Sequence, residues 1–213
     1  MDEQTKAYLL SLLPKEDAWV EELQDKAEEN RVPIMDPLGM RYLMQVVRLK
    51  KPGRILEVGA AIGYSALRML EAAPQSDIVT IERDETRYQE AVGHVKQQEK
   101  TGQIELVLAD ALEYMEELIA RNARFDLVFI DAAKGQYMKF FELADKLLSA
   151  GGVIVTDNVL FRSYVAGSLE IPKKYKKMVE KLASYNDVVM NHPDYDTTIM
   201  PIGDGVAVSV KRF

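Results

Sequence analysis

The most distinctive residues of the chain stand where its predicted strands end. Five successive strands are followed by a glycine or by acidic and amide side chains: Gly59, Glu82, Asp110, Asp131 and the pair Asp157-Asn158. A single Asp or Asn at such a position is usually a helix cap or an Asx turn. A series of them converges on one edge of a sheet, because the carboxyl ends of parallel strands meet there. Their mutual repulsion predicts a cationic ligand at that edge.

Three of these residues form a candidate metal site. Asp131, Asp157 and Asn158 offer oxygen ligands, which Mg²⁺ and similar hard cations prefer. A metal with an open position can bind a hydroxyl group and lower its pKa. The chain contains no cysteine and only two histidines, so a zinc site is disfavoured.

A second candidate site is the loop from Gly59 to Gly63, which joins a predicted strand at 55–58 to a helix at 65–73. Such a loop presents backbone N–H groups and a helix N-terminus to a ligand. It lacks the middle glycine of the dinucleotide-binding G-x-G-x-x-G pattern. Glu57, inside the strand, would repel a pyrophosphate and suit a ligand with a positive charge. Both features disfavour a nicotinamide-dependent dehydrogenase.

Glu82 closes the next predicted strand, at 78–82. It lies about 20 residues beyond the glycine loop, the spacing at which an acid at a strand end meets ribose hydroxyls. A carboxylate suits that role because it can accept two hydrogen bonds from a diol. Asp84 is expected to cap the helix that follows.

Strands and helices alternate through the middle of the chain, which predicts an α/β fold with a doubly wound parallel sheet. The later strands are predicted at 104–109, 126–130 and 153–156, and the later helices at 112–122 and 136–148, with Gly151-Gly152 ending the last one.

The flanks of the chain differ from the middle. Helices are predicted at 2–13, 15–30 and 38–49 before the first strand, and a basic helix at 173–184 after the last one. A strand edge is predicted at 188–191. Runs at 197–202 and 206–211 flank a glycine turn and predict a hairpin. We expect one domain over 1–213, with an N-terminal helical extension over 1–35.

Composition narrows the function classes. No apolar run approaches the roughly 18 residues of a membrane span, and no signal peptide is recognisable at the start. We therefore expect a cytoplasmic protein with no membrane partner. The net charge of −7 argues against broad nucleic-acid affinity, although a local basic patch stays compatible with it.

Two groups of motifs resemble one known family. Glu57-Val58-Gly59 with Gly63-Tyr64-Ser65 resembles motif I of the class I methyltransferases, which bind S-adenosylmethionine (SAM). Asp131-Ala-Ala-Lys134 and Asp157-Asn-Val-Leu160 resemble the metal motifs of the cation-dependent O-methyltransferases, which include the catechol and caffeoyl-CoA enzymes. The block at 195–209 is similar to bacterial members that methylate 5-hydroxyuridine in tRNA. The resemblance implies a seven-stranded, mostly parallel Rossmann-like sheet with a C-terminal antiparallel hairpin.

The resemblance also implies roles for individual residues. The residues implied to contact SAM are Met35, Glu57, Gly59, Ser65, Glu82, Asp110, Ala111 and Asp131. The implied Mg²⁺ ligands are Asp131, Asp157 and Asn158. Lys134 would be the general base, and with Asp131 it makes up the implied catalytic pair.

The acceptor is predicted from the same resemblance to be the 5-hydroxyl of 5-hydroxyuridine in tRNA, whose neighbouring carbonyl oxygen could help to chelate the metal. The basic run at 173–177 could meet tRNA phosphates, although a solvated helix face is its usual interpretation. Ala132 and Ala133 leave room for a large substrate. The alternatives are small catechol-like phenols as acceptors and a non-catalytic SAM-binding module. A homodimer through the N-terminal helices is also expected.

Overall fold

The computed structural model describes residues 2–167 and 169–212. Its α-helices are α1 (Glu3–Ser11), α2 (Ala18–Glu29), α3 (Pro37–Lys50), α4 (Tyr64–Ala72), α5 (Glu85–Gln97), α6 (Ala111–Ala120), α7 (Tyr137–Leu147) and α8 (Lys176–Met190). Its strands are β1 (Arg54–Val58), β2 (Asp77–Glu82), β3 (Ile104–Leu108), β4 (Phe125–Ile130), β5 (Leu148–Thr156), β6 (Tyr195–Met200) and β7 (Val206–Lys211).

The strands form one seven-stranded sheet in the order β3-β2-β1-β4-β5-β7-β6. The first five strands in the chain pair in parallel, and β7 runs antiparallel to both β5 and β6. The predicted fold class is therefore confirmed. The order reverses beside β1, so the end of β1 is where a doubly wound sheet opens a ligand crevice.

Helices cover both faces of the sheet. Successive strand residues point to opposite faces, and in the central strands both sets of residues are mostly apolar. Ile55 and Phe129 belong to the apolar core that includes α2, α3 and α4. Leu56 and Val128 belong to a second core, built with α6, α7 and α8. These four side chains are completely buried, which explains the continuous apolar runs in β1 and β4.

Two local predictions were wrong. The strand edge expected at 188–191 is mostly the end of α8, because Leu182, Tyr185 and Val189 recur at helical spacing and are buried on one face. Gly151 and Gly152 do not end a helix, since α7 ends at Leu147 and β5 runs through both glycines. Within the described ranges, no helix is long and apolar enough to cross a membrane.

A buried ion-pair network attaches the N-terminal segment to the domain. Arg68 of α4 is 1% exposed and pairs with Glu16 at 3.0 Å and with Glu71 at 2.8 Å. Glu16 also pairs with Arg41 of α3 at 2.7 Å. The carboxylate of Glu16 therefore connects α3 and α4 to the segment between α1 and α2.

The Glu16→Gln variant is expected to lower the free energy of unfolding by roughly 2–3 kcal/mol in urea denaturation, because it neutralises the carboxylate that pairs with both the buried Arg68 and Arg41. Glu71→Gln is the matched control. Its side chain is 38% exposed, so its removal should cost less. A larger loss in the Glu71 variant would contradict this account of the network.

Candidate active site

A cavity of about 530 Å³ lies at the carboxyl ends of the strands, within the size range of small-molecule sites. Every site residue predicted from the sequence lines it except Glu57. The lining residues among them are Met35, Gly59, Ser65, Glu82, Asp110, Ala111, Asp131, Lys134, Asp157 and Asn158. The structure thus brings the glycine loop and the candidate metal ligands to one place.

The glycine loop is built for close contact. Gly59 has a φ of 103°, and a Cβ at this position would overlap the backbone carbonyl oxygen of Asp131. The N–H groups of Gly59 and Ala60 both donate to the carbonyl oxygen of Ile81, at 3.0 Å. Only glycine meets both the conformational and the steric demand here. The end of β1 therefore lies directly against the end of β4.

Glu82 is held by the backbone around it. Its Oε2 accepts a hydrogen bond from the N–H of Ala61 at 2.9 Å. Its Oε1 accepts from the N–H groups of Arg83 and Asp84, both at 2.9 Å. The carboxylate is thereby fixed at the rim of the cavity, where its remaining acceptor capacity can meet ligand hydroxyls.

Glu57 is fully buried and does not line the cavity. The hydroxyl of Thr80 donates to its Oε2, while its Oε1 has no hydrogen-bond partner in the described part of the chain. Burial raises the pKa of Glu57 to about 7, against the lowering effect of the Ser65 and Thr80 hydroxyls. Because the carboxylate lies behind the cavity wall, contact between Glu57 and SAM stays a prediction.

Ionisation of Glu57 should make the ligand-free protein less stable as pH rises. Its pKa is raised from 4.5 to about 7 on folding. The contribution of the protonated carboxyl to the stability of the folded state is therefore fully present below pH 4.5 and is lost as the pH rises through 7. The Glu57→Gln variant cannot ionise. The unfolding free energy of this variant, compared with that of the wild type at the same pH, should therefore increase between pH 5 and 8, by roughly 2–3 kcal/mol at most.

Urea denaturation across this pH range, without ligand or metal, measures the gain. The exposed Glu105 of β3 provides the control, because Glu105→Gln should track the wild type at every pH. Parallel curves for the Glu57 variant and the wild type would contradict the prediction.

The candidate metal ligands sit at the ends of β4 and β5. Burial raises the pKa of Asp157, and the charge of Asp131 raises it further. Burial also raises the pKa of Asp131, against the lowering effect of Lys134. The ammonium of Lys134 donates to Oδ1 of Asn158, and the Asn158 N–H donates to Oδ1 of Asp157 at 2.7 Å. Two crowded carboxylates of this kind are stabilised by a bound cation.

These three residues fit a magnesium ion by their chemistry, since carboxylate and amide oxygens are hard donors. Within residues 2–167 and 169–212, no three His, Cys, Asp or Glu side chains form a group able to hold a metal. The candidate set has two such residues and completes its donors with an asparagine. A site of this composition leaves several coordination positions to water or substrate.

Sequence reasoning missed several residues on the cavity wall. The most polar of them are Arg83, Arg87, Arg162 and Asp204, and Phe161 adds an aromatic ring. Arg83 directly follows Glu82, and Phe161 and Arg162 come three and four residues after Asn158. Adjacency to predicted site residues was the available signal. Asp204 gave none, because it reaches the cavity from the hairpin turn.

The hairpin turn shapes the segment after the metal motif. The N–H groups of Val159 and Leu160 donate to the carbonyl oxygens of Gly205 and Asp204, at 3.0 and 2.8 Å. Gly205 has a φ of 90°, and a Cβ there would overlap the Leu160 side chain. The end of the chain thus fixes the backbone beside the candidate metal ligands.

Comparison with known proteins places the chain in a family. An O-methyltransferase family model matches residues 11–212. A caffeoyl-CoA O-methyltransferase from Stellaria longipes is 27% identical, and the alignment covers 96% of this chain and 88% of the relative. A catechol O-methyltransferase from Niastella koreensis is 29% identical, with 96% and 95% covered.

Solved structures agree with the sequence relatives. A candidate caffeoyl-CoA O-methyltransferase from Staphylococcus aureus superimposes with a TM-score of 0.90 at 35% identity, covering 98% of this chain and 100% of that one. The O-methyltransferase TomG from Streptomyces achromogenes, solved in complex with SAM, has a TM-score of 0.84 at 26% identity, with both chains fully covered. The family model matches residues 11–212 of the 213 in this chain, so the chain belongs to the O-methyltransferase family. This confirms the enzyme class predicted from the sequence.

Proposed function

We propose that this protein is a SAM- and Mg²⁺-dependent O-methyltransferase whose acceptor carries two adjacent oxygens, as small catechol-like phenols do. The observation that carries the proposal is one cavity that is lined both by the glycine loop at Gly59 and by Asp131, Lys134, Asp157 and Asn158. The names of the caffeoyl-CoA and catechol relatives support this class of acceptor.

The methyl donor is inferred from the loop and from a relative. TomG, which is 26% identical to this chain, was solved in complex with SAM. In this chain, the glycine loop leaves no room for a side chain at Gly59. Glu82 would accept hydrogen bonds from the ribose. Met35, just before α3, and Ser65, in α4, would also contact SAM. Asp110 and Ala111, at the start of α6, would border the adenine.

The chain's own residues would mainly bind and orient, because the sulfonium of SAM is already activated and the reaction needs a positioned nucleophile. Asp131, Asp157 and Asn158 would hold the magnesium ion. When bound, that ion would lower the pKa of an acceptor hydroxyl. Lys134, which also lines the cavity, would take the hydroxyl proton as general base in its neutral amine form, and the positive charge of the bound ion would favour that form over the ammonium. The methyl group would then pass to the acceptor oxygen by in-line displacement, as the bond to sulfur breaks and S-adenosylhomocysteine leaves.

A second acceptor, 5-hydroxyuridine in tRNA, is favoured by the surface beside the cavity. Phe161 lines the cavity, and its ring meets Tyr175 edge-on, with the centroids 5.3 Å apart. Tyr175 lies within the basic run of Lys173, Lys174, Lys176 and Lys177, and Lys174 Nζ is 4.8 Å from the Tyr175 ring centroid. Phosphates next to a bound base would meet these lysines.

Side-by-side assays with labelled SAM separate the two acceptors. We expect methyl transfer to a catechol, abolished by EDTA and restored by Mg²⁺. Transfer to tRNA from a strain lacking this gene would favour the second acceptor, and it should fall steeply between 50 and 200 mM salt. Transfer to neither acceptor, or transfer that EDTA leaves intact, would overturn the proposal.

We also propose that the protein is a single domain over 1–213, that it is cytoplasmic and that it forms a homodimer. An interface through α1 is supported by exposed apolar side chains, since Tyr8 in the helix is 63% exposed and Leu12, directly after it, is 61% exposed. No described residue of α1 is buried. Sedimentation of a Leu12→Glu variant tests it. A dimer that survives the change unaltered would exclude this interface.

A further inference from the structure

The loop between Gly59 and Gly63 is held from three directions. Its first N–H groups donate to the backbone at the end of β2, and the N–H of Ala61 donates to Glu82. From the third direction, Nδ1 of His94 lies 2.9 Å from the carbonyl oxygen of Ile62. His94 belongs to the last turns of α5 and is 32 residues away from Ile62 in the chain.

The chemistry of this contact assigns the proton. A carbonyl oxygen only accepts hydrogen bonds, so Nδ1 of His94 must carry the hydrogen. This holds for the matching neutral tautomer and for the imidazolium alike. The contact is therefore a donated hydrogen bond in both protonation states.

Close packing makes the contact between α5 and the loop specific. A Cβ added at Gly63, whose φ is 82°, would lie 3.4 Å from the Cβ of Ala91. Ala91 is fully buried and lies one helical turn before His94. The helix thus meets the loop at two points, the methyl group of Ala91 and the imidazole of His94.

Part of the loop has a strained backbone conformation, which the hydrogen bond from His94 can stabilise. Ala61 has a φ of 45°, a conformation that residues with a side chain rarely adopt. Ala61, Gly59 and Ala60 all line the cavity, whereas His94 does not. His94 can therefore influence a ligand only indirectly, and its hydrogen bond to Ile62 connects it to the backbone of the loop.

We propose that His94 is a positioning residue, which fixes the glycine loop in its ligand-binding conformation by donating from Nδ1 to the Ile62 carbonyl. The proposal rests on the proposed function, because it takes SAM and its product S-adenosylhomocysteine as the ligands of that loop. Without this donor, the loop must be ordered by the ligand at the expense of affinity.

Calorimetric titration with S-adenosylhomocysteine tests the proposal without any acceptor. His94→Leu keeps an apolar side chain of similar size but has no donor, and its Kd should rise about tenfold, the loss expected for one hydrogen bond of roughly 1.4 kcal/mol. His94→Asn should restore near wild-type affinity, because Asn Nδ2 can take the place of His Nδ1. Gln97→Leu, also near the end of α5, is the control and should bind normally.

Hydrogen exchange provides a readout in the ligand-free protein. Amides of the loop at 59–63 should exchange faster in the Leu variant and normally in the Asn variant. Equal affinity in the Leu variant and the wild type, or an Asn variant as weak as the Leu variant, would overturn the positioning role. A wild type that binds no S-adenosylhomocysteine would instead refute the proposed function.

Discussion

Asp131→Ala is expected to lose methyl transfer by at least about a thousandfold, because a catalytic metal contributes several kcal/mol to the transition state and each 1.4 kcal/mol is a factor of ten. The variant should nevertheless fold. The wild-type carboxyl is half-buried and its charge disfavours ionisation of Asp157, so its removal should leave the melting temperature unchanged or higher. Initial rates with and without added Mg²⁺ measure the loss.

Asp25→Ala is the matched control, because it removes one exposed carboxylate from α2, away from the cavity. It should keep full activity and full dependence on Mg²⁺. Residual activity in the Asp131 variant should not respond to the metal. Full, metal-dependent turnover in that variant would refute the candidate metal site.

Gly59→Ala is expected to abolish binding of S-adenosylhomocysteine and to lower the free energy of unfolding by more than about 3 kcal/mol. The left-handed conformation alone costs a residue with a Cβ roughly 1–2 kcal/mol. The new methyl group would also overlap the carbonyl oxygen of Asp131, and backbone cannot move aside as a flexible side chain can. Urea denaturation and calorimetric titration measure the two losses.

Gly93→Ala makes the same chemical change where the structure has room. Gly93 lies inside α5, and a Cβ there would meet nothing within 4 Å. Alanine is the better helix former, so this variant should gain roughly 0.5–1 kcal/mol and bind the ligand normally. A Gly59 variant as stable as the Gly93 variant would contradict the steric argument.

The sheet and most of the cavity were predictable from the sequence, because both depend on local patterns. Apolar runs such as 55–58 predicted buried strands, and the residues after them had to share one edge. That geometry brought Glu82, Asp131 and Asp157 to the same cavity wall. The sheet order and the shared lining of one cavity agree with these two inferences.

The remaining features depend on tertiary contacts that a local pattern does not contain. The position of Asp204 on the cavity wall follows from pairing between β5 and β7. The end of α8 was mistaken for a strand because its apolar residues were considered without Leu182 and Tyr185, which lie on the same buried face as Val189. The burial of Glu57 behind the cavity wall depends on its neighbours in the sheet, such as Thr80.

The position of β7 has a consequence for synthesis. β7 follows every other strand in the chain, yet it lies between β5 and β6 in the sheet. On the ribosome, β6 therefore emerges without a neighbour, and β5 has an open side, until residues 206–211 leave the exit tunnel. A nascent chain at this stage exposes an unpaired strand edge to chaperones or to other chains. The part of the cavity lined by Asp204, together with the segment after Asn158 that the hairpin turn holds, can be completed only after translation of the last strand.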